Sequence, residues 1–170
     1  MSAAGITPLK KCPNQYLTAL LAMATLGFYA PYYYSKFIPN LNMMSKLALG
    51  NAAGDIKFSA TYIYGAIIIL ISPFAFMAVA TLANAADAYT KIFMILLAIS
   101  VPSNIILLVY IVKILNDIKA RIIQIALRYE RYDLAKPFVK DTGWYNQKRE
   151  KGIYHAFNEL VDEHNANLKG

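Results

Sequence analysis

Residues 92–132 read IFMILLAISVPSNIILLVYIVKILNDIKARIIQIALRYERY. The first half, residues 92–112, holds no Asp, Glu, Lys or Arg in 21 positions. A helix needs about 20 mainly apolar residues to cross a bilayer. The second half changes character. Leu108, Ile111, Leu115, Ile118, Ile122, Ile125, Tyr129 and Tyr132 recur at alternating steps of three and four. That is an apolar seam with two residues per heptad, the pattern of a coiled coil. Lys113, Asp117, Lys119, Arg121, Arg128, Glu130 and Arg131 fill the positions between. One helix is therefore expected to leave the membrane and continue into water with one apolar edge. Pro137 is expected to end it, with Lys136 extended before the proline.

Two further stretches lack charge: residues 12–35 and residues 58–86. The chain of 170 residues is 58% hydrophobic and only 16% charged, against about a quarter in soluble domains. This balance argues against a soluble enzyme and against a disordered basic protein. The expected fold is all-α and integral to the membrane. About three transmembrane helices lie within residues 1–112, with spans at 16–34, 62–84 and 93–112. A helical, basic tail occupies residues 113–170. Pro31 is expected to end or kink the first span near Tyr29, which leaves a short crossing or a re-entrant segment as alternatives. Pro73 interrupts the second span, where Ser72 can satisfy the carbonyl that the proline frees. Asp87 to Lys91 form a connection so short that the second and third spans make an antiparallel hairpin.

Positive residues set the orientation. With three crossings, Lys10, Lys11 and Lys91 share one side. Lys36, Lys46, Lys57, Lys113, Lys119, Arg121, Arg128 and Arg131 share the other. Loop 1 and the tail are therefore expected in the cytoplasm. A re-entrant first segment would put the N-terminus there too. Tyr32, Tyr33, Tyr34, Tyr62, Tyr64 and Tyr110 fall at one membrane face, and Tyr16 and Tyr89 at the other.

The tail carries the candidate partner interface: Ile111, Leu115, Ile118, Ile122, Ile125, Tyr129 and Tyr132. A second amphipathic face adds Ile153, Phe157 and Leu160, after a turn at Asp141-Thr142-Gly143. Three readings of the seam compete. It pairs with a copy or a partner helix, folds back on the chain's own last helix, or lies on anionic lipid. Asn104 is the intramembrane polar residue; it bonds either a neighbouring helix, or its own helix or water at the kink.

The chemistry of a catalyst is missing from the pattern. One cysteine, Cys12, permits no intrachain disulfide. His155, Glu159 and His164 are a marginal ligand set, since helical metal pairs favour i, i+4. No phosphate-binding glycine loop and no nucleophile–base set occurs. The expectation is a non-enzymatic subunit without cofactor. Its partners are the lipid bilayer and a protein or a second copy, not nucleic acid. The alternative is a small pore lined by Ser72, Thr81, Asn84, Ser100, Ser103 and Asn104.

Residues 25–36 read TLGFYAPYYYSK. This resembles a span end found in small uncharacterised bacterial multi-span membrane families, Thr-x-Gly-Ile-Tyr-x-x-Tyr-Trp followed by a basic residue. Phe28 stands for the Ile and Tyr33 for the Trp, and Pro31 is a departure. The resemblance implies a bacterial inner-membrane location and carries over no functional residue.

Overall fold

The computed structural model describes residues 9–12, 15–25, 28–50, 53–82, 86–139 and 147–168. Among them the regular structure is wholly helical: α1 Gln15–Ala24, α2 Tyr29–Leu49, α3 Ala60–Leu82, α4 Ala86–Arg128, α5 Tyr132–Val139 and α6 Gln147–Asn167. These helices build two bodies that share α4. One is a hairpin of α3 with the first half of α4. The other is a helical head.

The hairpin follows from the two apolar runs. Ile63, Ala66 and Ile67 of α3 pack against Leu107 of α4, with Ile71, Tyr110 and Ile111 beside them. The start of α3 thus meets the later part of α4, so the two run antiparallel. α3 is about 35 Å long and α4 about 65 Å, at 1.5 Å per residue. Ser72 Oγ donates to the Ile69 carbonyl at 3.0 Å, the group that Pro73 leaves without its N–H. Pro102 lies within α4, which continues on both sides of it.

The head has its own core. Phe37, Leu41 and Met44 of α2, Ile118, Ile122 and Ile125 of α4, and Phe157, Leu160 and Val161 of α6 are all almost fully buried. Leu134, Ala135 and Phe138 of α5 complete it. Phe37 meets Phe157 edge-on at 5.1 Å, and Tyr154 meets Tyr33 and Phe37 in the same manner. Gly152 lets α6 approach α5, because a Cβ there would sit 3.2 Å from Phe138 Cζ.

Several expectations are corrected. Residues 16–34 do not form one helix. α1 has ten residues, about 15 Å, and ends before Thr25. Thr25 Oγ1 accepts the N–H of Tyr29, and α2 begins there. Pro31 therefore sits in the first turn of α2, where its missing N–H costs no helical bond. Residues 9–12 are bonded to α6, and α2 belongs to the same head. Both ends of α1 thus lead to elements of the head, residues 9–12 and α2. Among the described residues two helices, α3 and α4, are long and apolar enough to span a membrane.

The stretch expected as loop 1 is mostly α2, whose buried face Tyr33, Phe37, Leu41, Met44 recurs at helical spacing. Tyr33, Phe37, Leu41, Met44 and Ile56 consequently share a core with residues of α4, α5 and α6 beyond position 112. Pro137 does not end the long helix either. α4 stops at Arg128, and Pro137 and Lys136 lie within α5. The stop is a left-handed residue, Glu130 at φ 59°, with Arg131 N–H to the Ala126 carbonyl at 2.9 Å and Glu130 N–H to Leu127 at 3.2 Å. These two bonds close a helix in the manner usually built around glycine.

Replacing Glu130 relieves that backbone strain. Glu130→Gly is expected to raise the unfolding free energy of the head by about 1 kcal/mol, measured by denaturant titration in detergent. An unchanged or lower value would show that Glu130 is not strained.

Candidate functional site

The seam residues have partners inside the chain. Ile118, Ile122 and Ile125 are fully buried, as are Phe157 and Leu160, and Ile153 is buried. Helices α2, α5 and α6 all lie against α4. The seam is therefore occupied by the chain's own elements, and these six residues present no surface to another protein. The cause is the reversal at Glu130, which returns α5 and α6 onto α4. Ile111, Leu115 and Tyr129 are half-buried, while Tyr132 remains 63% exposed.

The hairpin is the opposite case. Only 28% of the apolar window of α3 and 11% of that of α4 are buried. Ile68, Phe74, Val79 and Leu82 on α3 and Ile95, Ile99, Ile106 and Val109 on α4 are exposed. Its polar side chains are turned onto their own backbone. Thr81 Oγ1 donates to Met77, Ser100 Oγ to Leu97, Ser103 Oγ to Ile99 and Asn104 Nδ2 to Ser100. Asn104 thus bonds its own helix rather than a neighbouring one. Asn84 lies outside the described residues.

Aromatic rings collar the hairpin where it joins the head. Tyr62 meets Tyr110 at 5.1 Å, Phe28 stacks on Tyr64 at 6.1 Å, and Tyr34 meets Phe58 at 6.0 Å. Such rings suit a membrane–water boundary. Tyr33 departs from this belt and sits in the core of the head. The side chains of Tyr16 and Tyr89 are outside the described set.

Above the collar lies a cleft of about 630 Å³ between residues 54–59 and α4. Lys57, Lys113 and Arg121 line it, together with Asp55, Asp117 and Tyr110. Sequence spacing alone did not reveal it, because the wall at residues 54–59 is folded by distant partners. Asn42 bonds both the N–H and the carbonyl of Ile56, at 3.0 and 3.1 Å. Arg121 donates to the Gly54 carbonyl at 2.7 Å and to Ser45 Oγ. Lys46 pairs with Asp55 at 2.9 Å. The Tyr110 hydroxyl accepts the N–H of Ser59 at 2.9 Å.

The far side of the head carries a strap. Leu9 exchanges two bonds with the Asn165 amide, both 3.1 Å. Cys12 N–H donates to Asn158 Oδ1 at 2.8 Å, and Lys11 pairs with Asp162 at 2.7 Å. Burial pushes the Cys12 thiol up to about 11, against a smaller lowering by the Tyr33 hydroxyl. The thiol is therefore protonated and unreactive at neutral pH. Among the described residues no three His, Cys, Asp or Glu come together as a metal cluster. The chain matches no family model, no curated protein and no solved structure.

His164 is buried against Tyr129, Nδ1 to hydroxyl 2.8 Å. Burial and Glu163 push the Tyr129 hydroxyl up, and burial pushes His164 below its ordinary 6.5. Burial thus favours neutral His164 beside the Tyr129 hydroxyl. Because the folded value is depressed, this stability is complete above 6.5 and is lost as the pH falls below it. The melting temperature of the purified chain is expected to fall from about pH 7.5 to about pH 5, and to fall less in His164→Gln. Identical slopes in the two proteins would remove His164 from the account.

Proposed function

We propose that this chain is a non-enzymatic integral membrane subunit. The α3–α4 hairpin crosses the bilayer, and the head holds an assembly surface at the membrane face. The single observation that supports this is the contrast in burial. The head buries a contiguous apolar core, whereas most of the apolar windows of the hairpin stay exposed. A core helix of a soluble protein would be mostly buried. In water such a surface is an aggregation hazard; in lipid it is the ordinary state.

With one hairpin, Lys10, Lys11, Lys36, Lys46, Lys57, Lys113, Lys119, Arg121, Arg128 and Arg131 all flank the head side, and Lys91 alone flanks the other. The positive-inside rule puts the head in the cytoplasm. In the bacterial inner membrane that the span-end resemblance implies, both described ends of the chain then face the cytoplasm.

Assembly with a second copy or with a larger membrane complex passes to the outer surface of the head, because the seam is filled. Met43 and Leu47 form an exposed apolar stripe one turn apart on α2, and Leu127 and Tyr132 are exposed at the α4–α5 reversal. Chemical crosslinking and native mass measurement in mild detergent test this. A dimer or a defined hetero-complex is expected, and Met43→Asp with Leu47→Asp should weaken it without changing helix content. A strictly monomeric, partner-free chain contradicts the proposal. Ile118→Asp with Ile122→Asp should instead abolish the cooperative melt of the head, with the chain still resistant to carbonate extraction. Buried-charge penalties of several kcal/mol per site set that outcome.

A further inference from the structure

The cleft between residues 54–59 and α4 has a charge, a depth and a size that together specify a ligand. Three basic residues line it, and none of Lys57, Lys113 and Arg121 is ion-paired among the described residues. Of the two carboxylates, Asp55 is held by Lys46 at 2.9 Å. Asp117 sits one turn from both Lys113 and Arg121 on α4. Arg121 spends its hydrogen bonds on neutral groups, Ser45 and the Gly54 carbonyl, so its charge stays uncompensated while it fixes the wall. The N-terminus of α3 opens on the same space. Ser59 lines the cleft, and its Oγ accepts the N–H of Tyr62 at 3.3 Å. That end of a helix carries partial positive charge.

Depth narrows the choice. Lys113 lies one turn beyond Tyr110, about 4.5 Å farther from the apolar hairpin. Lys57 precedes α3 by three residues. The polar layer on each side of a bilayer's hydrocarbon core is roughly 5–7 Å thick. In a bilayer whose hydrocarbon ended at the tyrosine collar, the two ammonium groups would stand at phosphate level. Cα–Cβ bonds of α4 tilt toward its N-terminus, hence toward the hairpin, and lysine stems snorkel readily along such a surface. The volume, about 630 Å³, is that of a small-ligand site.

We propose that this cleft binds a phosphate group, and that its source is the headgroup of an anionic phospholipid of the surrounding leaflet. Lys57 and Lys113 contact the phosphate oxygens. Arg121 is a positioning residue that holds the Gly54 wall and adds long-range charge. The site rests on the hairpin crossing the membrane, and it gives the head a fixed seat on the bilayer.

The test uses the full chain in nanodiscs of phosphatidylcholine with phosphatidylglycerol, followed by native mass measurement of retained lipid. Wild type is expected to retain phosphatidylglycerol over phosphatidylcholine. Lys57→Gln with Lys113→Gln should lower that occupancy at least about tenfold, the scale of one lost charge-assisted contact. The charge-matched control Lys10→Gln with Lys136→Gln should behave as wild type, and Lys113→Arg should keep most of the binding. A second arm titrates lipid-free chain in detergent with inorganic phosphate. Binding much weaker than that of the lipid is expected. Inorganic phosphate bound as tightly as the lipid overturns the lipid source. Equal retention in wild type and the double variant overturns the site. Carbonate extraction of the same samples reads the anchor separately: a wild-type chain released by carbonate contradicts the crossing, whereas a retained chain with no lipid preference contradicts only the cleft.

Discussion

Everything in this molecule depends on apolar side chains that find no protein partner along α3 and the first half of α4. A water-soluble fold would cover them. Here Leu82 is 85% exposed, and Ile106 and Leu108 stand exposed on opposite faces of α4. A helix satisfies its own backbone, so it can carry such a surface into lipid without stranded N–H or C=O groups. Ser72, Thr81, Ser100, Ser103 and Asn104 obey the same constraint, because each of these five bonds a carbonyl of its own helix.

In the proposed membrane setting, lipid and water meet on one continuous helix. From Ile92 to about Tyr110, α4 carries no charged residue; beyond it, the face with Ile114, Ile118, Ile122 and Ile125 is covered. That face is the axis of the head. α2, α5 and α6 each bury an apolar stripe against it, and the strap at residues 9–12 closes over α6. A rigid link follows between the anchor and the head, because both are parts of the same 43-residue helix. The strap has a topological consequence as well. By tying Leu9 and Cys12 to α6, it keeps the beginning and the end of the described chain on one side of the hairpin.

The hairpin was legible in the sequence because lipid imposes a signal that survives without context: long runs without charge. Even the Ser72–Pro73 compensation could be read, since it involves neighbours only. The seam was legible as an apolar edge, yet its occupant was not. Periodicity shows that a face is buried and says nothing of what buries it. The reversal at Glu130 was hidden because it occupies a position where glycine is the usual marker. α2 was hidden by Pro31 and Pro39, one harmless in a first turn and the other exposed on a helix held by Phe37, Leu41 and Met44. The basic cleft had no local signal, since Lys57 and Lys113 are joined only through the packing of residues 53–59 on α2 and α4.

The most direct test of lipid as the solvent of the hairpin is collision accessibility of spin labels on the reconstituted chain. Labels go on single cysteines placed by Ile69→Cys, Val79→Cys, Met94→Cys and Ile106→Cys in a Cys12→Ser background, with Gln124→Cys as the head reference. Oxygen accessibility should be high and nickel-chelate accessibility low at all four hairpin positions, with the reverse at position 124. Nickel access at the hairpin positions equal to that at 124 would place α3 and α4 in water and contradict the account.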